Sequence, residues 1–325
     1  MIKTYFYNHN ENLMYHDVDL TEKDIMVADP ENLLWIDLYD CSVDELMYVG
    51  EIFDFHPLAL EDCLQKSPRA KVDHYDDGYS FFVFHALRYH EDAEDDEIKS
   101  IELDVFLGAN YLVTIHPVAL SAVGKCARMC LRGPEIMERG TDYLLYNIID
   151  NIVDDYFPIM EALGGRIDDL EDEIFTDPAQ EITEEILVLK RTLLLLRKVI
   201  LPQRRIFANV NGRYSFPISE ENRPYYLDLV DHLDVILDTN DTYRDLVNSA
   251  MDTHYSIVSS RTNEVMRVLT IISTIILPLT FITSLYGMNV KIPAGGEHLY
   301  FWFILGGMGL LAGSMMSFFR KKHWI

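Results

Sequence analysis

Two long uncharged runs near the C-terminal end decide most of what this chain can fold into. No residue from Val268 to Val290 carries a charge, and VLTIISTIILPLTFITSLY within that run is almost wholly apolar or hydroxylic. The second run, LYFWFILGGMGLLAGSMMSFF, covers the 21 residues from Leu299 to Phe319. About 20 such residues in a helix cross a bilayer core, so both runs qualify as membrane spans. Between them lies a short polar loop, inside the stretch SLYGMNVKIPAGGEHLYFW from Ser284 to Trp302.

Basic residues near the ends of the spans set the orientation. Arg261 and Arg267 precede the first span, Arg320, Lys321 and Lys322 follow the second, and the loop carries only Lys291. Both termini are therefore expected in the cytoplasm of a multi-pass protein of the cell (inner) membrane. Residues 1–260 then form a large internal part, and the polar loop is an external hairpin.

The chain has 27 basic and 53 acidic side chains, a formal net charge of -26. Such a balance repels phosphate backbones and argues against nucleic acid as a partner, while it attracts cations. The four cysteines, Cys41, Cys63, Cys126 and Cys130, form no Cys-x-x-Cys pair, and no cleavable signal peptide is visible. Reduced thiols are expected, with Cys126 and Cys130 buried one helical turn apart.

The N-terminal part alternates extended and helical patterns. IKTYFY, LLWIDL, YSFFVFHALRY, IELDVFL and NYLVTIH read as strands, SVDELMYVGEIF and PLALEDCL as helices. These predict a cytoplasmic α/β domain over 1–140, with a mixed sheet and covering helices. An acidic antiparallel helical hairpin over 141–222 turns at Asp177-Pro178. A long stalk helix over 223–267 follows, since Tyr225 to Leu277 holds no Gly or Pro. Its stripe of Tyr226, Leu229, Leu233, Leu237, Val247, Ala250, His254 and Ile257 is interrupted by Asn240. The stalk continues into the first span, 268–290. Pro278 falls inside that span, where neighbouring helices satisfy the freed carbonyl. The external loop (291–298), the second span (299–319) and a basic tail (320–325) complete an α+β chain with two C-terminal transmembrane helices.

Two helices cannot enclose a pore alone, so a homo-oligomer is expected. Gly306, Gly309 and Gly313 on the second span permit close helix contact, and Tyr300, Trp302 and Phe303 suit an interfacial aromatic belt. The first span presents Asn263, Met266, Thr270, Ser273, Leu277, Thr280, Ser284 and Gly287 at helical spacing on one face. Hydroxyls and an amide recur there without any charge, although each hydroxyl is equally suited to bonding back to its own helix. A face of neutral oxygens fits a cation that keeps its water, and Mg²⁺ dehydrates reluctantly. Met266, Leu269 and Leu277 are placed to close the tube by dewetting.

Tyr286-Gly287-Met288-Asn289, ending the first of two C-terminal spans, resembles the YGMN motif of the CorA family of magnesium channels. NEVMRVLTII upstream, HPLALEDCL, DYLLYNIIDNIVDDYF and the RKKHWI tail are similar to family stretches as well, so the resemblance covers most of the chain. It implies a funnel-shaped homopentamer that conducts Mg²⁺, with Co²⁺ as a further ion, and no catalytic residues. Tyr286, Gly287, Met288 and Asn289 would form the outer selectivity filter, where Asn289 offers a ring of amide oxygens. Asn263, Met266, Leu269, Leu277, Thr280 and Ser284 match the family's pore-lining positions, with Ser284 standing where relatives often carry glycine. Asp62 and Asp228 match a regulatory metal pair between subunits, with Glu61 and Asp150 nearby. Internal Mg²⁺ bound there would close the pore. One departure stands out: relatives commonly carry acids soon after the motif, whereas Lys291 follows here and the first acid is Glu297.

Two other functions compete. The same architecture transporting Zn²⁺, Co²⁺ or Ni²⁺, with or without protons, would favour nitrogen or sulfur ligands along the path. The predicted pore has none beyond Met266, although His298 lies in the external loop. A membrane-tethered hydrolase or sensor is suggested by HYDDG (His74–Gly78) and HEDAEDDE (His90–Glu97). Neither has catalytic spacing, and no phosphate-binding loop, His-Glu-x-x-His or Gly-x-Ser-x-Gly is present.

Overall fold

The structure, a computed structural model, describes residues 1–89, 98–176, 180–208, 218–288, 297–322 and 324. It divides into two compact units, Met1–Glu173 with Ala179–Ala250, and Ile174–Pro178 with Met251–Ile325.

In the first unit, β-branched and aromatic runs build the strands. They are β1 (Ile2–Asn8), β2 (Leu13–His16), β3 (Leu33–Tyr39), β4 (Lys71–Tyr75), β5 (Tyr79–Arg88), β6 (Lys99–Leu107) and β7 (Tyr111–His116). Among the described residues these make one sheet in the order β2-β1-β3-β7-β6-β5-β4. β3 and β7 pair in parallel and the other neighbours are antiparallel, so the sheet is mixed, as the sequence predicts. β5 is buried from Tyr79 to Leu87 because both its faces are covered, which is why it reads as a continuous apolar run rather than an alternating one.

One face carries Phe6, Ile36, Phe81, Val83 and Phe106 against α1 (Lys23–Met26), α2 (Val43–Phe53) and α3 (Pro57–Leu64). Phe55, between α2 and α3, stacks on Phe106 with ring centroids 3.8 Å apart. Both helices begin at defined caps. Ser42 Oγ accepts from the Glu45 amide while Glu45 reaches back to the Ser42 amide, a reciprocal box that satisfies two free donors. His56 Nδ1 accepts from the Leu58 amide ahead of Pro57 in the first turn of α3. Asp54 ends α2 in the left-handed region at φ +55°.

Phe82 and Phe84 alternate to the opposite face. α4 (Ser121–Cys130) buries Cys126 and Cys130, and α5 (Thr141–Asp154) packs against β5, β6 and β7. Further along the chain come the helices α6 (Tyr156–Thr176), α7 (Gln180–Ala208), α8 (Arg223–Tyr286) and α9 (Glu297–Lys321). Phe207 of α7 stacks on Phe84 at 5.6 Å. The predicted turn at Asp177-Pro178 lies outside the described residues.

The start of α8 is fastened to α5 by polar groups. Asp142, almost fully buried, accepts from the Ser219 amide at 2.8 Å and from Asn222 Nδ2 at 3.0 Å. Tyr226 donates its hydroxyl to the Asp142 carbonyl at 2.7 Å. Arg139 lies over the Tyr143 and Tyr225 rings and donates to Asn222 Oδ1 at 3.0 Å. From there α8 buries Tyr226, Leu229, Leu233, Ile236, Asn240, Val247, Ala250 and His254. Six residues of the predicted stripe are thus buried, while Leu237 and Ile257 are only half-buried and Ile236 takes the buried place beside Leu237. α8 remains helical through Pro278 over its 64 residues.

Candidate functional site

In the second unit the long apolar stretches of α8 and α9 are almost wholly exposed, with 6% and 0% of their residues buried. Length and composition suit both for a bilayer, and such exposure leaves lipid or further chains to cover them.

The predicted pore residues share this exposure. Met266, Leu269 and Leu277 are 56%, 55% and 71% exposed, and Asn263, Thr280 and Ser284 are exposed as well. Some hydroxyls bond back to their own helix: Thr270 donates to the Met266 carbonyl at 2.7 Å and Thr283 to that of Thr280 at 2.9 Å. At the end of α8 the Gly287 amide closes onto the Thr283 carbonyl at 2.9 Å, and an added Cβ at Gly287 would lie 3.2 Å from that oxygen. Tyr286 and Met288 are exposed on the single chain. Asn289, Lys291 and the loop to Gly296 lie outside the described residues, and nothing is described of the side chains of Glu297, His298 or Tyr300.

The four predicted regulatory acids fall into two groups. Glu61 and Asp62 lie on α3. Glu61 accepts from Gln65 Nε2 at 3.0 Å, and Asp62 accepts from Lys71 Nζ at 2.6 Å. Lys71, on β4, also reaches Asp73 at 2.8 Å. Burial opposes an ammonium, but its hydrogen bonds to Asp62 and Asp73 prevail and hold Lys71 above the ordinary lysine value. Behind this group Ser67 donates its amide to both oxygens of Glu102, at 3.1 and 3.0 Å. Burial, then the charge of Glu102, pushes the Asp104 carboxyl well above the usual range.

Asp150 and Asp228 belong to the second group, with two residues that the sequence reading did not single out. Asp150 and Asp154 stand one turn apart on α5 and meet His232 of α8, and ligand atoms of these three lie within 4.8 Å of one another. Asp228 Oδ2 lies 3.8 Å from His232 Nε2. Burial, then the Asp154 charge, raises the Asp150 carboxyl, while the Tyr146 hydroxyl and His232 act in the opposite sense. Phe157 meets the imidazole edge-on at 5.8 Å. The sequence signal for both missed residues is the spacing of four, Asp150 to Asp154 and Asp228 to His232, on helices that face each other.

The motifs behind the enzyme reading have plainer places. His74 to Gly78 form the end of β4 and its turn into β5, with Gly78 at φ +87° and His74 Nδ1 2.8 Å from Ser80 Oγ. His90 to Glu97 lie outside the described residues.

Comparison with known proteins places this geometry in context. Residues 30–321 match the family described as CorA-like Mg²⁺ transporter protein. The chain is 37% identical over 297 residues to the cobalt/magnesium transport protein CorA of Thermotoga maritima, covering 90% of this chain and 83% of that one. It is 28% identical over 296 residues to the protein of the same name from Methanocaldococcus jannaschii, covering 90% and 92%. The complete structure of the CorA magnesium transporter from Methanocaldococcus jannaschii superposes with a TM-score of 0.84 at 24% identity, covering 100% of this chain and 99% of that one.

Proposed function

Because the chain belongs to the CorA-like Mg²⁺ transporter family, we propose that it is a passive membrane channel for hydrated Mg²⁺, closed from inside by Mg²⁺. Members of this family are divalent-cation transporters, not enzymes, and the two apolar C-terminal helices suit a membrane protein. The proposed assembly is a homopentamer, five being the family's number, in the inner membrane with both termini cytoplasmic. The membrane potential supplies about 2.3 kcal/mol per elementary charge per 100 mV, and a divalent ion gains about twice that. Co²⁺ is a further candidate cargo, named with magnesium for the Thermotoga relative.

One observation carries the reading. A single helix, α8, bears both the acid and imidazole group at Asp228–His232 and the hydroxyl-bearing face from Asn263 to Ser284. A cation bound beside the first bears directly on the element proposed to line the pore. Tyr286, Gly287, Met288 and Asn289 form the proposed filter, with Asn289 presenting amide oxygen to the ion. Asn263, Met266, Leu269, Leu277, Thr280 and Ser284 line the proposed path. Glu61, Asp62, Asp150 and Asp228 serve as the regulatory acids, which repel across a subunit boundary unless a cation lies between them.

Magnesium-dependent uptake by Asn289→Ala tests the filter, and normal uptake would remove it. Flux into proteoliposomes carrying Asp62→Ala/Asp228→Ala tests the gate. Loss of inhibition by internal Mg²⁺ is expected, and an unchanged response would discharge those residues from the role. Competition by Zn²⁺, Co²⁺ and Ni²⁺, with and without a proton gradient, settles the cargo.

A further inference from the structure

Asn240 lies on the buried face of α8 with 0% of its surface exposed, and among the described residues neither its Oδ1 nor its Nδ2 has a hydrogen-bond partner. Turning the amide over changes nothing, because both ends are unmatched. We propose that Asn240 is a release point in α8: the helix stays fastened on the N-terminal side of it and parts from α6 and α7 on the C-terminal side, where the freed carboxamide meets water. Its meaning for a gate rests on the transport reading above; the opening itself does not.

Neighbours along α8 locate the seam that holds Asn240. Asp241, next in sequence, pairs with Arg197 of α7. Tyr243 brings its hydroxyl so near α6 that a Cβ added at Gly164 would lie 2.5 Å from it. The buried residues beside Gly164 and Arg197 on those helices, Leu163, Ile167, Leu193 and Leu196 among them, are apolar. α8 itself adds Ile236 and Val247, both buried. A carboxamide enclosed by such side chains has lost its water and gained nothing in return, which opposes the packing at that point.

The two sides of Asn240 are held very differently. Before it, Tyr226, Leu229, Leu233 and Ile236 are buried, and Tyr226 donates to the Asp142 carbonyl at 2.7 Å. Arg204 of α7 holds both oxygens of Asp234 there, through Nε at 2.8 Å and Nη2 at 2.9 Å. After it, in residues 241–250, only Val247 and Ala250 are buried. The first compact unit ends on α8 at Ala250, so the weakly held stretch is the last that α8 contributes to that unit. Sparse apolar burial is what lets a segment open locally at low free energy, and an unsatisfied amide at its head lowers that free energy further.

A buried asparagine also fixes register between packed helices, and that static role is the rival account. Opening predicts something that register does not: faster exchange of the backbone amides just beyond Asn240. On the transport reading, the same opening would free the continuation of α8, the proposed pore helix, while its start remained in place.

The test is amide hydrogen exchange, read by mass spectrometry on the purified full-length oligomer, for wild type and Asn240→Leu. Leucine keeps the size of the side chain and removes the unmatched amide. In wild type, residues 241–250 should exchange about tenfold faster than 227–236. Asn240→Leu should slow 241–250 about tenfold, leave 227–236 unchanged and raise the melting temperature. Equal protection of the two stretches in wild type would overturn the release point without any variant. A higher melting temperature with unaltered exchange would assign Asn240 to register alone, and a lower one would mean that an internal water already satisfies the amide; either result overturns it. Mg²⁺ flux through wild-type proteoliposomes tests the transport reading separately, so each can fail without the other.

Discussion

The ammonium of Lys71 lies 2.6 Å from the carboxylate of Asp62, and the same nitrogen reaches Asp73 at 2.8 Å. The acid proposed to hold a regulatory ion between subunits thus has a competing cation within its own chain. A divalent ion arriving at Asp62 must share or displace that ammonium.

Removing the competitor should therefore sharpen regulation. Both side chains are about a third exposed, so the pair falls in the range of 0.2–1 kcal/mol typical of solvent-screened ion pairs. Lys71→Met is expected to lower the Mg²⁺ concentration for half-closure by about two- to fivefold. Protection of the purified protein from proteolysis, titrated with Mg²⁺, reads this midpoint directly. A midpoint that stays put or rises would show that Lys71 does not compete for Asp62.

Acid should weaken the first unit through His85. This residue is 7% exposed, and its Nε2 donates to the Ser67 carbonyl at 2.9 Å. Burial holds its pKa below the ordinary 6.5, Lys198 adds to the effect, and the Ser67 bond opposes it. The unfolded chain then binds more protons than the native one just below that value. The contribution is present in full above about pH 6.5 and disappears as pH falls through the lowered native value. Melting temperature should drop from pH 7.5 to pH 5.5 by at most about 2–4 °C per kcal/mol lost. In His85→Gln, which keeps a donor for Ser67, the drop should be smaller. An equal slope in both proteins would place the acid sensitivity elsewhere.

Asp142 is the polar fastening of α8 to α5, and its loss should be costly. Its carboxylate accepts from Ser219 and Asn222, and truncation leaves donors in a buried setting without partners. Hydrogen bonds to a charged group contribute about 1.5–3 kcal/mol each, so Asp142→Ala should destabilise by about 3 kcal/mol or more. Denaturant unfolding followed by tryptophan fluorescence measures it, with Trp35 buried in β3 as reporter. A change below about 1 kcal/mol would mean that water replaces the carboxylate there.

What the sequence disclosed and what it hid divide along physical lines. β1, β3, β5, β6 and β7 were legible because their β-branched and aromatic runs are covered by the core. β2 and β4 sit at the two edges of the sheet, hold no fully buried residue, and so carry almost no apolar signal. α8 was legible as an unbroken helical run, and the membrane spans by length alone. Within the acidic groups, Asp62, Asp150 and Asp228 were found through resemblance to a family. Lys71, Asp154 and His232 were not, because each acquires meaning only from a partner on another element. Lys71 reaches Asp62 from β4, and His232 meets Asp150 from α8. Pairings of that kind are made by packing; the spacing of four from Asp150 to Asp154 and from Asp228 to His232 puts each pair on one helix face but does not say which helices meet.

The helix face proposed for the pore can be separated from a lipid-facing one by two polar substitutions. Leu277 shares helical spacing with Asn263, Thr270 and Ser284, while Ile272 stands well around the helix from it, and in the single chain they are 71% and 48% exposed. Exposure alone does not distinguish water from lipid. An asparagine facing lipid pays for an unsatisfied amide, whereas one facing a narrow apolar constriction wets it. Leu277→Asn should therefore assemble normally and leak several-fold more Mg²⁺ at closing internal concentrations. Ile272→Asn should instead lower the yield of assembled protein without raising leakage per oligomer. Proteoliposome flux normalised to oligomer content measures both. If leakage follows Ile272 rather than Leu277, the pore lies on the opposite face of α8 and the proposed lining residues fall together.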